Sequence, residues 1–222
     1  MSEQWFCAKE HWPRHPAEAP AQNRERDTDM TDPRAVRAVF LDRDGTIIED
    51  HGHLRDRSQV VFLPETFDAL RRLQEGFLLF IITNQPGIAR GTITREDADN
   101  VNAYVVARLA DEGIRIADIY VCPHTRQDGC PCIKPKGYFL HQAARRYGVE
   151  LRRSFTIGDH PHDVELGRAA GGQGIYVLTG HGEKHLAELA LDAAVTRDIG
   201  QAAERVLQSA CDAQHISRPP KE

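Results

Sequence analysis

Apolar runs of strand length, separated by stretches with helical spacing, constrain this chain more than any other feature. VRAVFL (36–41) and FLLFIIT (77–83) are the clearest. They are too short for buried helices and do not alternate like a half-wet strand. Such runs belong in a parallel sheet covered on both faces. Helical patterns fall between them. PETFDALRRLQEG puts Pro64 at a first helical position, spaces Phe67, Leu70 and Leu73 on one face, and stops at Gly76. Thr94 and Asp97 have capping-box spacing ahead of an amphipathic stretch ending at Gly113. ADIYVC, SFTIGD and GIYVLTG read as further strands, GYFLHQAARRYG and DVELGRAAG as helices. The remainder to about Ala213 reads as two helices around a short strand at DAAVT. Repeated β-then-α units predict an α/β fold built on a doubly wound, mainly parallel sheet.

The 222 residues suffice for one such domain, expected over 34–213. Residues 1–33 carry Trp, His, Pro and charge without periodicity and are expected to form a disordered tail, with 214–222 a flexible C-terminal tail. Met30 precedes the first strand and offers an alternative start to Met1. The first thirty residues contain no apolar h-region, so the expected compartment is the cytoplasm. No apolar run reaches the ~18 residues of a membrane span. A formal net charge of −5 gives no electrostatic footprint for nucleic acid.

In a doubly wound sheet ligands sit at the carboxyl ends of the strands. Here those ends read LDRDGT, ITNQPG, VCPH and IGDHPHD, each turning from apolar to polar. Asp42 and Asp44 stand two apart, so both carboxylates share a side if the strand direction persists. Ionised carboxylates beside an apolar strand are costly unless paired or bound to metal. One of such a pair can attack an electrophile while the other moves a proton. A capped turn or a calcium loop is the alternative, although an EF-hand needs glycine at its sixth position and Gly45 falls at the fourth. Gly45 itself allows a turn with positive φ.

A second signal is CPHTRQDGCPC, of the form C-x-H-x5-C-x-C. Cys122, His124, Cys130 and Cys132 satisfy the closed tetrahedral shell of structural Zn²⁺, which would stabilise the loop 122–132. The alternative is a loop of reduced cysteines. Cys7 and Cys211 fall outside the pattern.

FLDRDGTI resembles the first motif of the haloacid dehalogenase superfamily, and three later strand ends resemble its other motifs in order, covering 36–178. The resemblance implies a Rossmann-like phosphatase acting through an aspartyl-phosphate. It implies that Asp42 is the nucleophile and Asp44 the general acid and base. Thr83 and Asn84 match the second motif, which binds phosphate, and Lys134 matches the third-motif lysine. Asp159 and Asp163 match the acidic fourth motif. Mg²⁺ would then be held by Asp42, the Asp44 carbonyl and Asp159, with Asp163 helping directly or at one remove. A helix N-cap is the alternative role for Asp163.

The cysteine loop before Lys134 is similar to that of D-glycero-D-manno-heptose 1,7-bisphosphate phosphatases and histidinol-phosphatases, which lack a large cap domain. EDHGHL and NQPGIARG resemble the heptose enzymes more closely. Ile133 stands where those usually carry arginine, a second proline is missing after Lys134, and the His124–Cys130 interval is shorter than theirs. His160 stands where they usually have lysine, and it and His162 are expected to be solvent-facing loop residues. Arg90 is a candidate contact for a distal phosphate. His51, and His53 by proximity, are candidates for the substrate mouth.

The expected ligand is a small phosphorylated metabolite, with no nucleic-acid or membrane partner and a monomeric chain. A heptose bisphosphate leads, ahead of histidinol phosphate or another small phosphomonoester. Nucleic-acid end processing and a non-catalytic zinc-bearing module are the competing classes. The acidic balance argues against the first. The complete carboxylate set argues against the second.

Overall fold

The computed structural model describes residues 36–216; the expected N-terminal tail, Cys7, Met30 and residues 217–222 lie outside them. The strands are β1 (Ala38–Leu41), β2 (Leu78–Asn84), β3 (Ile116–Cys122), β4 (Phe155–Gly158), β5 (Gln173–Val177) and β6 (Ala194–Thr196). The α-helices are α1 (Thr66–Leu73), α2 (Pro86–Ala89), α3 (Arg95–Asp111), α4 (Tyr138–Tyr147), α5 (Pro161–Ala169), α6 (Gly182–His185) and α7 (Ile199–Ile216). All strand pairings are parallel, in the order β3-β2-β1-β4-β5-β6.

Period-two alternation along β1 explains the two layers. Val39 and Leu41 belong to a core that includes Leu70, Leu73, Val101, Val105 and Val206, contributed by α1, α3 and α7. Ala38 and Phe40 point to the other face, into a core with Phe139, Leu140 and Leu166 from α4 and α5. Phe40 and Phe80 stack there at 5.0 Å between ring centroids. Burying each such ring is worth about 1.5–3 kcal/mol. Both faces are thus covered, as the all-apolar runs require.

Two local expectations differ. Helix α1 begins at Thr66 rather than Pro64, because Glu65 turns left-handed at φ 65° and the Thr66 hydroxyl donates to Ile47 O. The last two helices expected around β6 are unequal: α6 is four residues and runs into a 3-10 turn, whereas α7 has 18. Between Ile48 and α1 there is only a short excursion with one 3-10 turn at Arg57–Gln59, so no large cap domain is inserted there.

The strand order sets the position of the site. From β1 the chain moves outward to β2 and β3, then crosses back to β4 on the other side of β1. The crevice at such a reversal opens above the carboxyl ends of β1 and β4.

Candidate active site and metal centre

Asp42 follows the last residue of β1 and Asp159 the last of β4, so adjacent strands deliver both carboxylates to one rim. Asp163 joins them from the first turn of α5. The three carboxylates lie within 4.8 Å of one another. Lys134 is buried in the loop before α4, with Nζ 2.5 Å from Asp42 Oδ1 and 2.7 Å from Asp163 Oδ1.

Burial pushes the Asp42 carboxyl well above the usual range, against Lys134, with the neighbouring acids adding to the shift. Burial likewise lifts Asp159 to about 6, although the His181 N–H favours its ionised form. Burial opposes the Lys134 ammonium, yet Asp163 and Asp42 overcome that and hold its pKa above the ordinary lysine value. Three carboxylates against one ammonium leave excess negative charge in a buried pocket of hard oxygen donors. That donor set fits a small divalent cation such as Mg²⁺.

Asp159 is placed by close backbone approach. His181 N–H donates to its Oδ2 at 2.7 Å. Gly45 (φ 77°) and Gly180 (φ 57°) press on the same oxygen, and a Cβ at either would come within 2.1 or 2.3 Å of it. The Thr179 hydroxyl ties the two turns together by donating to Gly45 O at 2.6 Å. Asp163 is not the helix N-cap considered for it: His160 caps α5, and Asp163 is the third helical residue, closing the capping box. Its Oδ2 accepts the His160 N–H at 3.1 Å, closing the start of α5, while Oδ1 meets Lys134.

Asp44 reaches the site by a different route from the one expected. The strand stops at Leu41 and the chain turns, with the N–H groups of Ile47 and Ile48 both donating to Arg43 O. Arg43 is 1% exposed and grips the Asp44 carboxylate through Nε and Nη2 at 2.8–3.1 Å. Arg43 Nη1 in turn donates to Asn102 Oδ1 at 2.7 Å, from α3. Gln85 Nε2 donates to Asp44 Oδ2 and to the Thr83 hydroxyl, each at 2.8 Å.

The Thr83 hydroxyl donates to Asp44 Oδ2 at 3.4 Å, and Asn84 Oδ1 accepts the Lys134 backbone N–H at 3.3 Å. Both second-motif residues therefore border the carboxylate cluster. His51 instead pairs with Glu49 at 3.0 Å in a half-exposed position. Arg90, at the end of α2, is exposed and lines a neighbouring cavity. His160 and His162 are partly buried rather than solvent-facing, because they start α5 and pack with their rings tilted at 4.5 Å between centroids. Burial, then His162, lowers the His160 pKa to about 4. Sequence reasoning assigned no role to Arg43, Gln85, Asn102 or the 179–181 turn. A lone arginine between two aspartates was the one visible signal.

The cysteine loop closes on itself. Cys122, Cys130 and Cys132 Sγ atoms are 3.4–3.7 Å apart, and His124 Nδ1 is 3.7 Å from Cys122 and 3.4 Å from Cys132. A disulfide needs about 2.05 Å. Four ligands at zinc distances span tetrahedral edges of about 3.5–3.8 Å, so the four donors fit a tetrahedral ion. Lys136 Nζ donates to Gly129 O and Cys130 O, and Thr125 N–H to Asp128 Oδ2, holding the intervening turn. Cys211 lies on α7, outside this cluster.

A family model described as "HAD-hyrolase-like" matches residues 131–202. The chain is 38% identical over 157 residues to D-glycero-beta-D-manno-heptose-1,7-bisphosphate 7-phosphatase of Yersinia pestis, covering 66% of this chain and 83% of that protein. The chain belongs to the haloacid dehalogenase-like hydrolases. It is 40% identical over 154 residues to the same-named enzyme of Vibrio cholerae serotype O1, covering 64% of this chain and 82% of that one. The solved structure of D,D-heptose 1,7-bisphosphate phosphatase from B. bronchiseptica complexed with magnesium and phosphate matches with a TM-score of 0.72 at 32% identity. It covers 78% of this chain and 99% of that one. This haloacid dehalogenase-like chain is a phosphatase. Among the described residues no helix is long and apolar enough to cross a membrane.

Proposed function

We propose that this phosphatase removes the 7-phosphate of D-glycero-D-manno-heptose 1,7-bisphosphate, with Asp42 as nucleophile. An Asp42 oxygen attacks phosphorus, the bond from phosphorus to the sugar oxygen breaks, and Asp44 gives that oxygen a proton. Water then attacks the aspartyl-phosphate, Asp44 takes the proton, and inorganic phosphate leaves with Asp42 restored. Arg43, Gln85 and Thr83 aim Asp44 for both transfers. Lys134 binds phosphoryl oxygens beside Asp42, with its backbone held by Asn84. Mg²⁺ bound by Asp42, Asp159, Asp163 and the Asp44 carbonyl would neutralise charge on the transferring group. Zn²⁺ on Cys122, His124, Cys130 and Cys132 would be structural.

The Lys134 ammonium bridging Asp42 and Asp163 beside Asp159 carries this reading, because it assembles a nucleophile, a phosphate cation and a metal cradle at one strand rim. Identity to the two heptose enzymes supplies the substrate. The test is phosphate release with magnesium from heptose 1,7-bisphosphate, histidinol phosphate and a panel of small phosphomonoesters. The wild-type protein should prefer the heptose bisphosphate, and Asp42→Asn should abolish release from every substrate. Wild-type rates from Asp42→Asn would refute the nucleophile; preference for histidinol phosphate would refute the substrate.

A further inference from the structure

Beside the carboxylate cluster lies a cavity of about 210 Å³, lined by Asn84, Arg90, Thr125, Arg126, Gln127 and Ile133 among others. It shares a wall with the reaction centre. Asn84 holds the Lys134 backbone, and Ile133 is the residue before Lys134. The lining contains two cations and no carboxylate. Arg90 and Arg126 are both exposed, and nothing among the described residues pairs with either guanidinium. Arginines left without counter-ions around a concave polar cavity mark a site for an anion, and a guanidinium suits phosphate because it can bond two oxygens at once.

Neither arginine depends on a flexible mount. Arg90 caps α2, its N–H donating to Pro86 O. Arg126 starts the single turn between Thr125 and Gly129, inside the loop closed by the cysteine cluster. That turn is fixed by Thr125, whose N–H and hydroxyl both donate to Asp128 Oδ2 at 2.7 and 2.9 Å. Ile133 adds an apolar side chain to the same lining and brings no charge of its own.

We propose that Arg90 and Arg126 form the subsite for the phosphate that is not cleaved, and so set the preference of this enzyme for a bisphosphorylated sugar. This rests on the substrate reading above and adds residues to it. The two guanidinium groups act on binding only, because they bond the remote group equally before and during the chemistry.

The experiment compares heptose 1,7-bisphosphate with p-nitrophenyl phosphate, which has no second phosphate, in wild type, Arg90→Ala, Arg126→Ala and the double variant. Each single change should raise KM for the bisphosphate about tenfold, and the double change a hundredfold or more, the loss of charge-assisted bonds to phosphate. The kcat on the bisphosphate and both constants on p-nitrophenyl phosphate should stay at wild-type values. Arg126→Lys should recover part of the loss. Unchanged KM for the bisphosphate, or equal losses on both substrates, would overturn the subsite. Failure of the substrate reading shows separately, as a wild-type enzyme that does not turn over the bisphosphate at all.

Discussion

Arg43 is the residue whose work the chain discloses least. Arginine between two aspartates looks like a charge in a surface loop, yet this side chain is buried and divides its donors between Asp44 and Asn102. Removing one partner of a buried ion pair leaves the other charge uncompensated, typically at about 3–5 kcal/mol. Arg43→Met should therefore lower unfolding stability by about that amount. Arg43→Lys keeps the charge but loses the two-pronged grip. It should unfold close to wild type while kcat falls about tenfold or more, as expected when a proton-transfer group loses its aim. Denaturant titration and steady-state kinetics separate the two effects. A Lys variant with full kcat would mean that the aim of Asp44 is set elsewhere. Gly45 acts by absence. A methyl at φ 77° both strains the turn and meets the Asp159 carboxylate. Gly45→Ala should cut kcat/KM by about a hundredfold or more and raise the magnesium concentration needed for half-maximal rate.

The elements were legible where apolar periodicity dictates them and illegible where a single tertiary contact intervenes. All six strands and the long helices follow from runs such as FLLFIIT and from the Thr94–Asp97 capping box, which forms as expected. The cysteine cluster was legible because its chemistry is local: four ligands within eleven positions leave one geometry. The start of α1 was not, because Thr66 answers to Ile47, nineteen positions away. Nor was the 179–181 turn, which grips Asp159 only because β5 lies beside β4. The cysteine loop also carries a prediction. Purified protein should hold about one equivalent of zinc, measured by elemental analysis, and Cys130→Ser should lose it. Losing the ion removes four metal–ligand bonds that would hold the loop 122–132 closed, and thermal unfolding should drop by several degrees, since about 1 kcal/mol is worth ~2–4 °C in a domain of this size. A stable, zinc-free wild type would leave the loop as plain reduced thiols.

At the scale of the whole molecule, the sheet pays for its active rim in stability. β1 and β4 force Asp42 and Asp159 together in a buried place, and Lys134 neutralises only part of the charge. Asp159 has its folded pKa lifted to about 6 from the ordinary 3.8. The folded, metal-free chain thus holds this proton more tightly than the unfolded chain. Its stability is greatest below the ordinary carboxylate value, falls as pH rises from about 4 to about 6, and stays reduced at neutral pH. The size of the penalty is on the order of 1–3 kcal/mol. Asp159→Asn removes it while the amide oxygen can still accept the His181 N–H. In EDTA at pH 7 the variant should therefore melt higher than wild type, and the gap should close as the buffer is taken below about pH 4. Adding magnesium should raise the wild-type melting temperature and leave the variant nearly unmoved, because binding stabilises only the state that binds. The same variant should have lost phosphatase activity. A variant that melts lower than wild type in EDTA at pH 7 would mean that the carboxylate stabilises the fold without metal, and that its strained position serves something other than a cation.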